Sequence, residues 1–69
     1  MRQPINNAEL HQELAGFHDT TEQLLGEVNQ LLRNRNLETG PYAQVVFVAN
    51  GLRRIRDSLD AALQLTPTD

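Results

Sequence analysis

The chain has 69 residues, enough for one domain and close to the lower size limit for a chain that folds by itself. Its 39% hydrophobic and 22% charged residues are typical of a globular protein, and the absence of cysteine excludes a disulfide framework and a thiolate metal site. The net charge of −3 argues against non-specific binding to nucleic acid.

The first predicted element is a helix over about residues 7–34. Asn6 has the N-cap position and Glu9 follows three residues later, which is the spacing of a capping box. Side chains of a coiled-coil seam then recur in alternating steps of four and three residues. They are Leu10, Leu14, Phe17, Thr21, Leu24, Val28 and Leu31. Thr21, the polar member of this row, is expected to set the register between two helices.

The second element covers about residues 41–65 and is either a helix or a strand. The run from Val45 to Val48 has strand composition, and Asn50-Gly51 is a common hairpin turn. A helix is favoured because Gly40-Pro41 is a typical helix start and a single strand has no partner in this chain. A second seam also continues through Gly51, which we expect to allow close helix approach. It consists of Val45, Val48, Leu52, Ile55, Leu59 and Ala62.

Two helices of similar length with a short connection predict an all-α, antiparallel two-helix hairpin over residues 1–69. The hairpin is expected to complete a bundle by association with itself or with another chain. An antiparallel register is predicted to place Arg53 opposite Glu22 and Arg56 opposite Asp19, so that these arginines flank the seam.

Several large apolar residues remain outside the two predicted seams, and most of them lie toward the loop. They are Leu25, Leu32, Tyr42, Val46 and Phe47. We predict that this second stripe binds a partner protein, since an exposed apolar patch usually marks an association surface. The alternative interpretation is that the seam of the hairpin is simply wide.

The sequence indicates no catalytic chemistry. His11 and His18 are seven residues apart, about 10 Å along a helix, which is too far for both to bind one zinc ion. Ser58 is the only serine, and the sequence suggests no base for it. We therefore expect a protein that is not an enzyme and that has no metal or cofactor.

The layout resembles one family of small bacterial proteins. The stretch "ETGPYAQ" places Tyr42 early in the second helix after a polar connection, as in the YscE or PscE co-chaperones of type III secretion needle subunits. The resemblance covers about residues 20–65. It implies a helical-repeat chaperone as partner and, together with it, the capture of an aggregation-prone needle protein.

The sequence thus predicts a small protein-interaction module, namely an adaptor, a co-chaperone or an inhibitor such as one carried by a phage. Its partner is another protein or a second copy of the chain. The alternative is a dimeric four-helix bundle that binds nucleic acid through Arg53, Arg54 and Arg56. There is no apolar run of membrane-spanning length and no signal-peptide pattern, so a cytoplasmic location without membrane contact is expected.

Overall fold

The computed structural model describes residues 4–67 and contains two helices. Helix α1 spans Asn7–Asn34 and helix α2 spans Thr39–Leu65, and residues 35–38 connect them. The helices pack against each other and no strand occurs within the described residues, which confirms the predicted all-α hairpin. Residues 43–49, whose composition suits a strand, lie inside α2.

The start of α1 is fixed by the predicted capping interaction. The side-chain oxygen of Asn6 accepts a hydrogen bond of 2.8 Å from the backbone N–H of Glu9. The amide nitrogen of Asn6 donates to the Glu9 carboxylate at 3.0 Å. The Asn6 side chain therefore pairs both with the Glu9 N–H, which has no partner within the helix, and with the Glu9 carboxylate. At the other end, the Arg35 N–H donates to the Leu31 carbonyl at 3.2 Å.

Helix α2 begins two residues earlier than predicted. Its first helical hydrogen bond runs from the N–H of Tyr42 to the carbonyl of Glu38, at 2.8 Å. Pro41 is therefore the third helical residue rather than the first. Proline is tolerated there because the N–H groups of the first turn have no partner within the helix. The helix ends at Leu65, and the hydroxyl and N–H of the next residue, Thr66, both donate to the Ala62 carbonyl, at 2.7 and 3.0 Å.

The predicted seam positions are partly wrong, because both helices are rotated by about one residue relative to the prediction. Among residues 4–67, the buried hydrophobic side chains are those of Leu25, 5% exposed, and Ala49, 2% exposed. In α1 the buried or half-buried positions of the contact row are Leu14, His18, Thr21, Leu25, Val28 and Leu32. In α2 they are Val45, Ala49, Leu52, Arg56, Leu59 and Leu63.

Pairs of side chains across the two helices define the register. His18 lies 2.8 Å from Asp60, and Arg56 lies 3.7 Å from Glu22, nitrogen to oxygen in both cases. The predicted pairing of Arg53 with Glu22 and of Arg56 with Asp19 is therefore wrong by about one helical turn. Such partly exposed pairs add little to stability, but they favour one alignment over its neighbours.

The hairpin is a thin, elongated layer. Its Cα atoms extend over 48 × 24 × 14 Å, and the radius of gyration is 15.8 Å, compared with about 11 Å for a compact domain of this length. The accessible surface is 5722 Å², compared with about 4,400 Å² for a compact monomer of 7.8 kDa. About 1,300 Å² more surface is thus open to water than the size of the chain requires.

Glycine does not mark the helix contact. A Cβ atom added at Gly51 or at Gly26 would have no atom within 4 Å apart from the neighbouring backbone of its own helix. Neither glycine therefore touches the other helix. The prediction that Gly51 allows a close approach of the two helices is wrong. The small residue at the contact is instead Ala49, two positions earlier.

Thr21→Val is expected to raise the free energy of unfolding slightly, by up to about 1 kcal/mol. Thr21 is buried, and its hydroxyl donates only to the Phe17 carbonyl of its own helix, at 2.8 Å. Valine fills the same volume without placing a hydroxyl in the contact. Urea denaturation followed by circular dichroism measures the change, and Thr20→Val at the exposed neighbouring position should give no comparable gain. A loss above about 1 kcal/mol would mean that the hydroxyl bond stabilises the helix pair.

Candidate protein-interaction face

Five large apolar side chains of the hairpin are exposed beside the helix contact. They form what we call the apolar face: Phe17, Leu24, Leu31, Val48 and Ile55, each between 38% and 58% exposed. All five were predicted to lie in the seam. Each immediately precedes an inward residue, as Leu24 precedes Leu25 and Val48 precedes Ala49. One residue is a rotation of about 100° around a helix, so each side chain points to the edge of the contact.

The members from α1 and α2 point to the same side of the hairpin. Viewed from one end, two antiparallel right-handed helices rotate in opposite senses along the chain. A step of one residue back from the inward row therefore turns toward the same side in both helices. A step forward turns toward the other side, where Glu22 and Asp60 lie, close to His18 and Arg56.

The apolar face is arranged in levels. In each of the observed pairs His18–Asp60 and Glu22–Arg56, the two residue numbers add up to 78. Residue pairs with nearly the same total lie at one level of the hairpin. These pairs are Leu24 with Ile55, Leu31 with Val48 and Phe17 with Ala62. From Phe17 to Leu31 the face is about 21 Å long, at 1.5 Å per residue.

The opposite side is a polar edge, formed by His18, Glu22, Arg56 and Asp60. One His18 nitrogen lies 2.8 Å from Asp60 and the same nitrogen lies 4.0 Å from Glu22. Arg56 is 3.7 Å from Glu22 and 3.3 Å from Asp57 on its own helix. The hairpin thus has one apolar side and one charged side.

The residues predicted to bind a partner do not form one surface. Leu25 lies inside the hairpin, and Leu32 and Val46 are partly covered by it. Tyr42 is 48% exposed near the start of α2, and Phe47 is 64% exposed. Phe47 stands two residues before the buried Ala49, about 200° around the helix, so it points away from α1. That Leu32, Tyr42, Val46 and Phe47 contact a partner remains a prediction.

The arginines are largely engaged within α2 and across the polar edge. Arg53 donates to the side chain of Asn50 at 3.2 Å, and Arg56 contacts Glu22 and Asp57. Arg54 is exposed and forms no ion pair with an acidic side chain among residues 4–67. Of the three, Arg56 is the one that is paired with carboxylates within residues 4–67.

Neither a metal-binding cluster nor a membrane-spanning helix occurs within residues 4–67. Within residues 4–67, no three histidine or acidic side chains are arranged to hold a metal ion. His11 is exposed on α1, and His18 belongs to the polar edge. No helix in the described part of the chain is both long enough and apolar enough to cross a bilayer.

Comparison with protein-family models, with curated proteins and with solved structures found no match to this chain. The apolar face is therefore the feature of the chain from which a function can be inferred.

Proposed function

We propose that the chain is a non-enzymatic protein-interaction module and that the apolar face is its binding surface. The observation that carries the proposal is the side-by-side exposure of Phe17, Leu24, Leu31, Val48 and Ile55 on one side of the hairpin. Soluble monomers seldom leave so many large apolar side chains contiguous, and patches of this kind mark association sites.

The small core of the hairpin supports the same conclusion. Within residues 4–67, Leu25 and Ala49 are the buried hydrophobic residues, and no large side chain is fully buried. A layer of two helices can cover only one stripe of each helix, and this chain has no disulfide to compensate. Each Å² of apolar surface removed from water contributes about 25 cal/mol, so a partner on the apolar face would add substantially to stability.

Adaptor, co-chaperone and inhibitor are the roles that fit a small module of this kind, with the cytoplasm as its location. The resemblance to the YscE or PscE co-chaperones belongs to the same class of function and remains a hypothesis. The nucleic-acid alternative has less support, because Arg56 is paired with Glu22 and Asp57 and because the net charge of the chain is −3. A mobility shift that weakens steeply as salt is added would favour that alternative.

Site-specific photo-crosslinking tests the proposal. A photoreactive phenylalanine analogue is placed at Leu24, on the apolar face, and in a matched variant at Arg54, on the outer side of α2. Both variants are made in the cells that naturally produce the chain. We expect protein adducts from position 24 and few from position 54. Equal yields from both positions, or no adduct from position 24, would contradict the proposed binding surface.

A further inference from the structure

We infer that the occupant of the apolar face is a second copy of this chain, so that two hairpins form a four-helix bundle. This inference rests on the proposed function and adds the identity of the partner. In the proposed arrangement, the twofold axis runs parallel to the helices, and α1 of each copy packs over α2 of the other. All neighbouring helices are then antiparallel, as in many four-helix bundles.

The side of the hairpin that carries the apolar face is large enough for a dimer interface. This broad side measures 48 by 24 Å, about 1,150 Å² in projection, and the apolar face occupies about 21 Å of its length. A standard interface removes about 800 Å² from each partner. The chain exposes about 1,300 Å² more than a compact monomer of its mass would expose. Face-to-face pairing would remove most of this excess from both copies at once.

The sizes of the side chains on the apolar face complement each other in this arrangement. The axis keeps residues at their own level, so Phe17 of one copy lies over Ala62 of the other. Leu24 then lies over Ile55, and Leu31 lies over Val48. The largest side chain thus faces the smallest, and side chains of intermediate size face one another. Interdigitation of large and small residues is how bundle cores reach native packing density.

The charges beside the apolar face favour the same arrangement. The residues that border the face on α1 are Glu13, Thr20 and Glu27, whereas Gln44, Gly51 and Ser58 border it on α2. Packing α1 over α2 places the acidic border of one copy beside the uncharged border of the other. Packing α1 over α1 would bring two acidic borders together, which is unfavourable.

Analytical ultracentrifugation of the purified chain tests the proposal. We expect twice the chain mass of 7.8 kDa at micromolar concentration. Leu24→Glu combined with Ile55→Glu should weaken the dimer by at least about 100-fold, because two charges per copy would be buried without partners. Gln23→Glu combined with Ala61→Glu adds the same two charges on exposed outer positions and should leave the dimer intact.

Thiol crosslinking gives a second test that does not depend on charged variants. The chain has no cysteine, so Leu24→Cys and Ile55→Cys each introduce a single thiol. When the two variants are mixed, a short bifunctional thiol reagent should join position 24 of one copy to position 55 of another. Arg54→Cys mixed with either variant is the control and should give little product. A higher yield from Leu24→Cys alone than from the mixture would overturn the arrangement.

The remaining outcomes distinguish this inference from the proposed function. A purified wild-type chain that is monomeric or unfolded overturns the second-copy inference. A dimer that survives Leu24→Glu combined with Ile55→Glu but is broken by Phe47→Glu overturns it as well, because the contact would then lie on the outer side of α2. The proposed function fails if photo-crosslinking gives no protein adduct at position 24 or gives equal yields at positions 24 and 54. If the purified chain is a monomer and the adduct at position 24 is heavier than two copies of the chain, the apolar face is still a binding surface. Its partner would then be a different protein.

Discussion

Leu25→Ala is expected to lower the free energy of unfolding by about 2–4 kcal/mol, the range for a buried leucine truncated to alanine. Leu25 is the most buried large side chain among the described residues and lies at the middle of the helix contact. Removing three carbon atoms there loses hydrophobic burial and leaves a cavity. For a domain this small, a loss of that size is a large fraction of the total stability, so the variant should be partly unfolded at 37 °C.

Leu65→Ala is the matched control, because Leu65 is 83% exposed at the end of α2. Its effect should remain within about 0.5 kcal/mol. Urea denaturation of both variants, followed by circular dichroism at the same protein concentration, gives the comparison. Similar costs for the two substitutions would show that Leu25 does not face α2.

Ala49→Leu is expected to destabilise the hairpin by about 1–3 kcal/mol, although leucine is nearly as good a helix former as alanine. Ala49 is 2% exposed, which leaves no space for three additional carbon atoms. The two helices would have to move apart or adopt strained side-chain conformations. Melting temperature and urea midpoint should both fall.

Ala61→Leu provides the control for this substitution, because Ala61 is exposed on the same helix. The change adds the same atoms where they meet water and should leave the melting temperature nearly unchanged. If Ala49→Leu instead stabilised the protein, a void would have to exist beside Ala49, and the helix contact would have to be centred elsewhere.

Local signals were sufficient to predict the fold. Asn6 and Glu9 cap α1 as expected from their spacing, and Thr66-Pro67 ends α2. The apolar repeat through residues 43–49 outweighed their strand-like composition, because a strand in this chain would have no partner. The helix ends and the helical repeat depend on contacts between residues close in sequence. A single sequence is sufficient to predict such contacts.

The rotation of the helices could not be predicted in the same way. In α1, the rows that contain Leu24 and Leu25 both repeat every seven residues, and both alternate with Thr21 and Val28. Either row therefore satisfies a coiled-coil pattern. Whether the row of Leu24 or the row of Leu25 faces inward depends on the packing against α2. In α2, Ala49 and Arg56 turn inward although Val48 and Ile55 are more apolar. Contacts between residues distant in sequence determine which row faces the other helix. They leave the more apolar row of each helix exposed.

The candidate site was missed for the same reason. The predicted seams place Phe17, Leu24 and Ile55 in the interior, which leaves these residues no role at the surface. Phe47 fits neither seam, yet it lies on the outer side of α2, apart from the apolar face. A seven-residue repeat in which two neighbouring rows of each helix carry apolar residues is the signal that indicates one internal and one external contact.

The polar edge has a consequence for the size of any assembly. A hairpin with apolar surfaces on both sides could stack without limit and form fibres, because each added copy would expose a fresh adhesive side. Here His18, Glu22, Arg56 and Asp60 occupy the reverse of the layer. Two copies joined through their apolar faces would each turn the polar edge outward, so no second apolar face would remain there to add a third copy.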